Sequence, residues 1–204
     1  METNHIIDEL RAVAALDWNP EQKAYYEQRA ADARPVECVR MRDVFDEHQM
    51  LFLRVNYKAQ RKMCYRNAAE LVALIGQHTW MFPEPAVYVE GFAYAYELLP
   101  IEHAFVKIGD KYIDPTFERA LHRDVRKEMY ATLIELDAWK MAKYQSETGF
   151  YGELYQYDYL CKNRPDMAAI MRACIPLKRC WKEKPRPDES RRGGQNTVVG
   201  DTMV

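Results

Sequence analysis

The sequence predicts an α+β fold, on three observations. Apolar residues recur at helical spacing towards both ends of the chain. The middle changes to runs of β-branched and aromatic residues, and one of these is split by a Gly-Asp pair that reads as a tight hairpin. Helices that flank a small antiparallel sheet, rather than alternate with parallel strands, define the α+β class. The length of 204 residues fits one domain. Residues 1–184 are expected to form it. Residues 185–204 carry Pro, Gly, Ser and Arg with almost no apolar periodicity and read as a flexible tail.

Residues 6–32 predict two helices, broken near Asn19-Pro20, where asparagine is a cap and proline is at home in a first turn. Residues 35–48 are mixed in pattern, and Met50–Val55 is a short apolar run. From about Lys62 to Gln77 the pattern is helical, with Leu71, Leu74 and Ile75 at three- and four-residue spacing and Gly76 near the expected stop. Ala86–Ala93 reads as a strand. His103–Ile108, Gly109-Asp110 and Lys111–Asp114 read as a hairpin closed by Pro115, which cannot donate to a ladder. Leu121, Val125, Met129, Leu133, Leu136 and Lys140 fall near one stripe, predicting a helix over Phe117–Lys143. A tyrosine-rich segment follows (Tyr151, Tyr155, Tyr157, Tyr159), then a short helix from Asp166 to about Cys174 that Pro176 stops.

Composition narrows the function classes. With 48% hydrophobic and 29% charged residues the chain can bury a core. Twenty-nine basic against 31 acidic residues give a net charge of −2, which does not point to nucleic acid as a partner. Lys178–Arg192 holds seven basic and three acidic residues, and a solvated tail accounts for that excess. No apolar run approaches membrane-spanning length, and the N-terminal METNHIIDELRAVAALDW is acidic rather than leader-like. The expectation is a soluble, cytoplasmic chain with no membrane contact. The five cysteines form no CxxC pair, so reduced thiols are expected. Cys161, Cys174, Cys180 and His122 lack metal-knuckle spacing, and neither GxGxxG nor GxxxxGK[ST] occurs, so no metal or other cofactor is expected. Nothing in the pattern sets an oligomeric state.

One cysteine differs from the rest by context. Cys64 stands at the start of a predicted helix, where free amide donors and the positive end of the dipole favour a thiolate. From His48 to Ala69 there is no Asp or Glu, while Arg54, Lys58, Arg61, Lys62 and Arg66 are all positive. Nearby cations lower a thiol pKa. A small buried core residue is the commoner role of a free cysteine.

The hairpin supplies possible partners. With a two-residue turn, Ile108 faces Lys111, Val106 faces Ile113 and Phe105 faces Asp114. His103 and Asp114 then lie diagonally on one face, roughly 7 Å apart at the backbone. A three-residue turn would put Asp114 on the other face, so the arrangement depends on register. Taken singly, His103 is equally a structural histidine and Asp114 a turn cap. Taken together, Cys64, His103 and Asp114 make a nucleophile, a base and the carboxylate that orients it.

Cys64-Tyr-Arg-Asn-Ala68, Tyr88-Val-Glu-Gly-Phe-Ala93, Ile101-Glu-His-Ala-Phe105 and Ile113-Asp-Pro-Thr116 resemble short bacterial and phage proteins of the transglutaminase-like branch of papain-fold cysteine enzymes. Arylamine N-acetyltransferases and transglutaminase-like proteases are similar in the order and approximate spacing of Cys, His and Asp. The resemblance covers about residues 50–118. It implies a papain/transglutaminase-like core, with the Cys64 helix packed on a small antiparallel sheet and further helices on either side. It also implies that Cys64 attacks an acyl carbon, His103 shuttles the proton and Asp114 orients His103. The expected activity is hydrolysis or acyl transfer at an amide, isopeptide or thioester bond, on a protein or small acyl substrate. A non-catalytic binding or inhibitory protein on the same fold is the alternative. Papain-like enzymes place a donor glutamine upstream of the nucleophile. Gln60 stands on that side at shorter spacing and is otherwise read as an exposed glutamine, and the Cys64 amide is the other candidate oxyanion donor. Arg61 and Lys62 are candidates for contacting an anionic substrate or acyl carrier. Glu90 is either a cleft residue or a solvated edge-strand charge.

Overall fold

The computed structural model describes residues 5–95 and 99–173. The expected tail, the basic stretch Lys178–Arg192, Cys174 and Cys180 lie outside the described residues. Two helices open the chain, α1 (His5–Ala14) and α2 (Pro20–Asp32), and the Asn19 side chain caps α2 by accepting from the Gln22 amide at 2.9 Å. Strands β1 (Arg34–Val36) and β2 (Cys38–Val39) follow, then α3 (Glu47–Asn56) and α4 (Cys64–Gln77). The Met50–Val55 run lies within α3. Strands β3 (Ala86–Ala95), β4 (Leu99–Ile108) and β5 (Lys111–Ile113) come next, and a π-helical turn, Thr116–Ala120, follows β5. After β6 (Met129–Leu136) the described chain ends in α5 (Ala138–Thr148), α6 (Leu154–Asn163) and α7 (Pro165–Ala173).

The fold is α+β, and its sheet is mixed rather than purely antiparallel. The six strands run in the order β1-β6-β3-β4-β5-β2, and the β2–β5 pair is parallel. Only Glu37 separates β1 from β2, yet they pair with opposite ends of the sheet. One residue spans less than 4 Å, so the sheet must curl until its two edges nearly meet. Cys38, Val89, Phe105 and Tyr130 of β2, β3, β4 and β6 pack together with Phe117 inside that curl, and Val36 of the β1 edge packs against them.

The outer face carries the helices. Ala68, Leu71, Val72 and Ile75 of α4 pack on Tyr88, Ala104, Val106, Ile108, Ile113 and Leu136. Each large apolar side chain buried there contributes about 1.5–3 kcal/mol. Ile6, Ile7 and Leu10 of α1 cover Phe92 and Ala131 farther along the same face.

The stretch predicted as a helix over Phe117–Lys143 is instead the π-helical turn, a 3-10 turn at Val125–Lys127, strand β6 and the start of α5. β6 pairs with β1 on one side and β3 on the other, and its apolar residues serve both faces of the sheet, Tyr130 inside the curl and Ala131 and Leu136 on the outer face. Tyr130, Ala131 and Thr132 are all buried, a pattern no single helical stripe would give. Asp137 caps α5 by accepting from the Lys140 amide at 2.7 Å, which sets the true helix start. α4 ends at Gln77, the residue after Gly76, where the pattern placed the stop.

Candidate active site

The β4–β5 hairpin has the two-residue register. Ile108 pairs with Lys111, Lys107 with Tyr112 and Val106 with Ile113. Gly109 opens the turn at φ 59°, where a type II′ turn takes glycine. Continuing that register places Asp114 on the face of Phe105 and His103. His103 (2% exposed) and Asp114 (0%) are joined there by a 2.7 Å hydrogen bond from imidazole Nε2 to Oδ2.

Asp114 is held on every side. Oδ1 accepts the amides of Thr116 at 2.9 Å and Phe117 at 3.0 Å, and Oδ2 also accepts the Tyr130 hydroxyl at 3.1 Å. A buried carboxylate with four donors is fixed in position and stays compensated. The Phe117 ring lies 4.6 Å from the imidazole centroid and walls off His103.

With Nε2 committed to Asp114, Nδ1 is the nitrogen left for Cys64. Burial of the Cys64 sulfur pushes its pKa up. The hydrogen bond and charge of His103, with the amides of Ala104 and Tyr65 aimed at the sulfur, outweigh this and hold the thiol below its ordinary value. Burial acts on His103 in the opposite sense, lowering its pKa, and is outweighed by the charge and hydrogen bond of Asp114 and then by Cys64. The imidazolium is thus favoured well above its ordinary range. The two shifts are those of a thiolate–imidazolium pair. Cys38, by contrast, is buried beside Asp114 and Tyr130, and burial holds its thiol far above the ordinary value.

The source of the Cys64 shift differs from the one the sequence suggested. The Arg61 guanidinium donates to the Ala120 carbonyl at 3.2 Å, and Arg66 is bonded to Glu70 at 2.6 Å. His103 and two backbone amides act on the sulfur instead of the flanking cations. Gln60, Arg61 and Lys62 are all exposed, and Lys62 takes a left-handed φ of 62° two residues before the thiol.

Asn67, which the sequence reading passed over, ties these parts together. It lies one turn after Cys64 and is fully buried. Its Oδ1 accepts the Gln60 amide at 2.9 Å, and its Nδ2 donates to the Gln60 carbonyl at 2.7 Å and to Thr116 Oγ1 at 2.9 Å. One side chain therefore joins the Cys64 helix, the loop before it and the turn that holds Asp114. The available signal was a polar residue in line with Leu71 and Ile75 on the apolar stripe of α4. Tyr130 had no such signal, because its strand reads as helix.

Glu90 is not a solvated edge charge. It lies on β3 between β4 and β6, is 4% exposed, accepts the Tyr88 hydroxyl at 2.8 Å and the Tyr155 amide at 2.8 Å, and lines a cavity of about 240 Å³. Burial raises its pKa to about 7 against the opposing pull of the Tyr155 and Leu154 amides and the Tyr88 hydroxyl. The Tyr88 hydroxyl also lies 3.0 Å from the Tyr151 carbonyl. A protonated Glu90 can therefore donate to Tyr88 while Tyr88 donates to Tyr151, which leaves the neutral form fully bonded.

Among the described residues no group of three His, Cys, Asp or Glu side chains is placed to hold a metal ion. No helix among them is long and apolar enough to cross a membrane. No protein-family model, curated protein or solved structure matches the chain.

Proposed function

We propose that the protein is a cysteine hydrolase or acyltransferase with Cys64 as nucleophile, His103 as acid–base and Asp114 as the group that orients His103. One observation carries this reading: a buried imidazole bonded through Nε2 to Asp114 at 2.7 Å and sharing a hydrogen bond with a thiol whose pKa is lowered. The transglutaminase-like papain fold that the sequence resembles belongs to the same proposal. A helix that opens at the nucleophile and packs on the strand carrying the histidine supports it.

In this mechanism the Cys64 thiolate attacks an acyl carbon, and the carbonyl π electrons move onto oxygen. The Cys64 amide, free in the first turn of α4, and the Gln60 side chain are the proposed donors to that oxyanion. When the intermediate collapses, the bond to the leaving amine or thiolate breaks and the leaving group takes the proton from His103 Nδ1. Neutral His103 then takes a proton from water or an acceptor amine as it attacks the thioester, and the Cys64 thiolate is regenerated.

The test is acyl trapping with p-nitrophenyl acetate. Wild type is expected to release a burst of p-nitrophenolate and to carry one acetyl group on the peptide containing Cys64, with neither signal in Cys64→Ala. Acetylation spread over other residues, without a burst, would favour the non-catalytic binding protein.

A further inference from the structure

Strand β4 runs ten residues, but β5 pairs with only three of them, Val106, Lys107 and Ile108. The pairing alternation fixes where the other backbone groups point. Ile108 and Lys111 flank a two-residue turn and form a hydrogen-bonded pair, as do Val106 and Ile113, so even-numbered residues of β4 direct both N–H and C=O towards β5. Odd-numbered residues, including His103 opposite Gly91, pair with β3 instead.

Beyond the end of β5, therefore, Ala104, Glu102 and Pro100 face outward. The Ala104 amide is directed at the Cys64 sulfur, whose pKa it lowers. Pro100 stands where its missing N–H would face that edge, as strand prolines do. Glu102 presents an N–H and a C=O with no strand neighbour among the described residues, and it and Ile101 (43% exposed) are open to solvent. The unpaired N–H and C=O of Glu102, two residues before the Ala104 amide that acts on the nucleophile, are complementary to another extended backbone.

The adjoining cavity of about 240 Å³ adds charge. Glu90, Glu102 and Glu153 line it against a single cation, Arg29, which is already ion-paired with Glu102, and Tyr25 and Tyr65 also line it. Glu153 is held there at a left-handed φ of 61° and makes no capping bond with its side chain. A residue paired with Glu102 would have its side chain on the Glu102 side of the sheet, at the rim of this cavity. The carboxylates of Glu102 and Glu153, with only Arg29 against them, suit an ammonium or guanidinium group there.

We propose that the open edge of β4 is the substrate-docking element: an extended polypeptide adds to it as a strand, places a basic side chain at the Glu102 cavity and so brings its acyl bond to Cys64. The proposal rests on the acyl-enzyme reading and names its substrate class.

The probes are acetyl-Lys-Lys-Ala chloromethyl ketone, its Glu-Glu-Ala counterpart and a Lys-Lys-Ala probe with N-methylated backbone amides. Each alkylates Cys64 with loss of chloride, and each rate is divided by the iodoacetamide rate of the same protein to remove changes in the thiol itself. The lysine probe is expected to react about tenfold faster than the glutamate probe and at least about fivefold faster than the N-methylated one, the cost of one or two hydrogen bonds. Glu102→Pro, which removes the outward N–H and fixes φ at about −65°, is expected to lose a similar factor relative to Glu102→Ala. Equal rates for the three probes on wild type overturn the proposal without requiring any variant to fold. An ordinary iodoacetamide rate at Cys64 would sink the acyl-enzyme reading instead. The edge is then judged on Cys64→Ala with acetyl-Lys-Lys-Ala amide, where slowed hydrogen exchange at the Glu102 amide supports docking and unchanged exchange refutes it.

Discussion

Asn67 is where stability and the candidate chemistry meet, and Asn67→Ala tests both. The substitution removes three hydrogen bonds, at 2.9, 2.7 and 2.9 Å, from a fully buried side chain. Net values near 1 kcal/mol for each give about 3 kcal/mol, rising towards 5 if the Gln60 backbone groups and Thr116 Oγ1 find no water. Against a total stability of about 5–15 kcal/mol this is a large fraction. With a urea slope near 2 kcal/mol/M, the unfolding midpoint should fall by about 1.5 M. Because Asn67 also fixes the loop before Cys64 and the turn that holds Asp114, alkylation of Cys64 by iodoacetamide at pH 7 should slow as well, measured where the variant is still fully folded. A midpoint shift under about 0.3 M, with the Cys64 rate unchanged, would show that the clamp contributes neither stability nor positioning.

Three further outcomes follow from the same geometry. Asp114→Asn keeps the shape but removes the charge that favours the imidazolium, so Cys64 alkylation near pH 6 should fall about tenfold or more, read by mass spectrometry. Glu90 has a folded pKa of about 7, raised from 4.5, so the stability it confers is complete below about 4.5 and is lost as pH rises to 7. Glu90→Gln, which can keep the Tyr88, Tyr151 and Tyr155 contacts, should flatten the unfolding free energy over that window, and an unchanged slope in urea titrations would contradict it. At Gly91, beside the irregularity between β3 and β6, a Cβ would run into the Ala131 carbonyl and lie 2.9 Å from Thr132 Cα. Gly91→Ala should therefore cost more than about 4 kcal/mol or fail to fold, which thermal denaturation would show.

Local signals carried much of the sequence reading. Asn19-Pro20 marked a helix start, and Gly109-Asp110 set a hairpin register that brings His103 and Asp114 to one face. Those features depend on neighbours a few residues apart. What escaped the sequence depends on distant partners. β6 reads as a helix because its apolar residues serve two faces of a sheet, so Tyr130 could not be placed on Asp114. The curl arises because β1 and β2 join opposite edges, and three- and two-residue strands leave almost no pattern. The cations around Cys64 were legible, but their turn towards Ala120 and Glu70 was not.

The most direct measurement is the pH dependence of Cys64 carbamidomethylation, resolved by peptide mass spectrometry in wild type and His103→Ala. The wild-type midpoint should lie clearly below the ordinary thiol value of about 8.5. In His103→Ala it should rise above that value, because burial of the sulfur remains while the opposing imidazolium is gone. Coincident profiles in the two proteins, or a wild-type midpoint at or above 8.5, would contradict the thiolate–imidazolium pair on which the proposed chemistry depends.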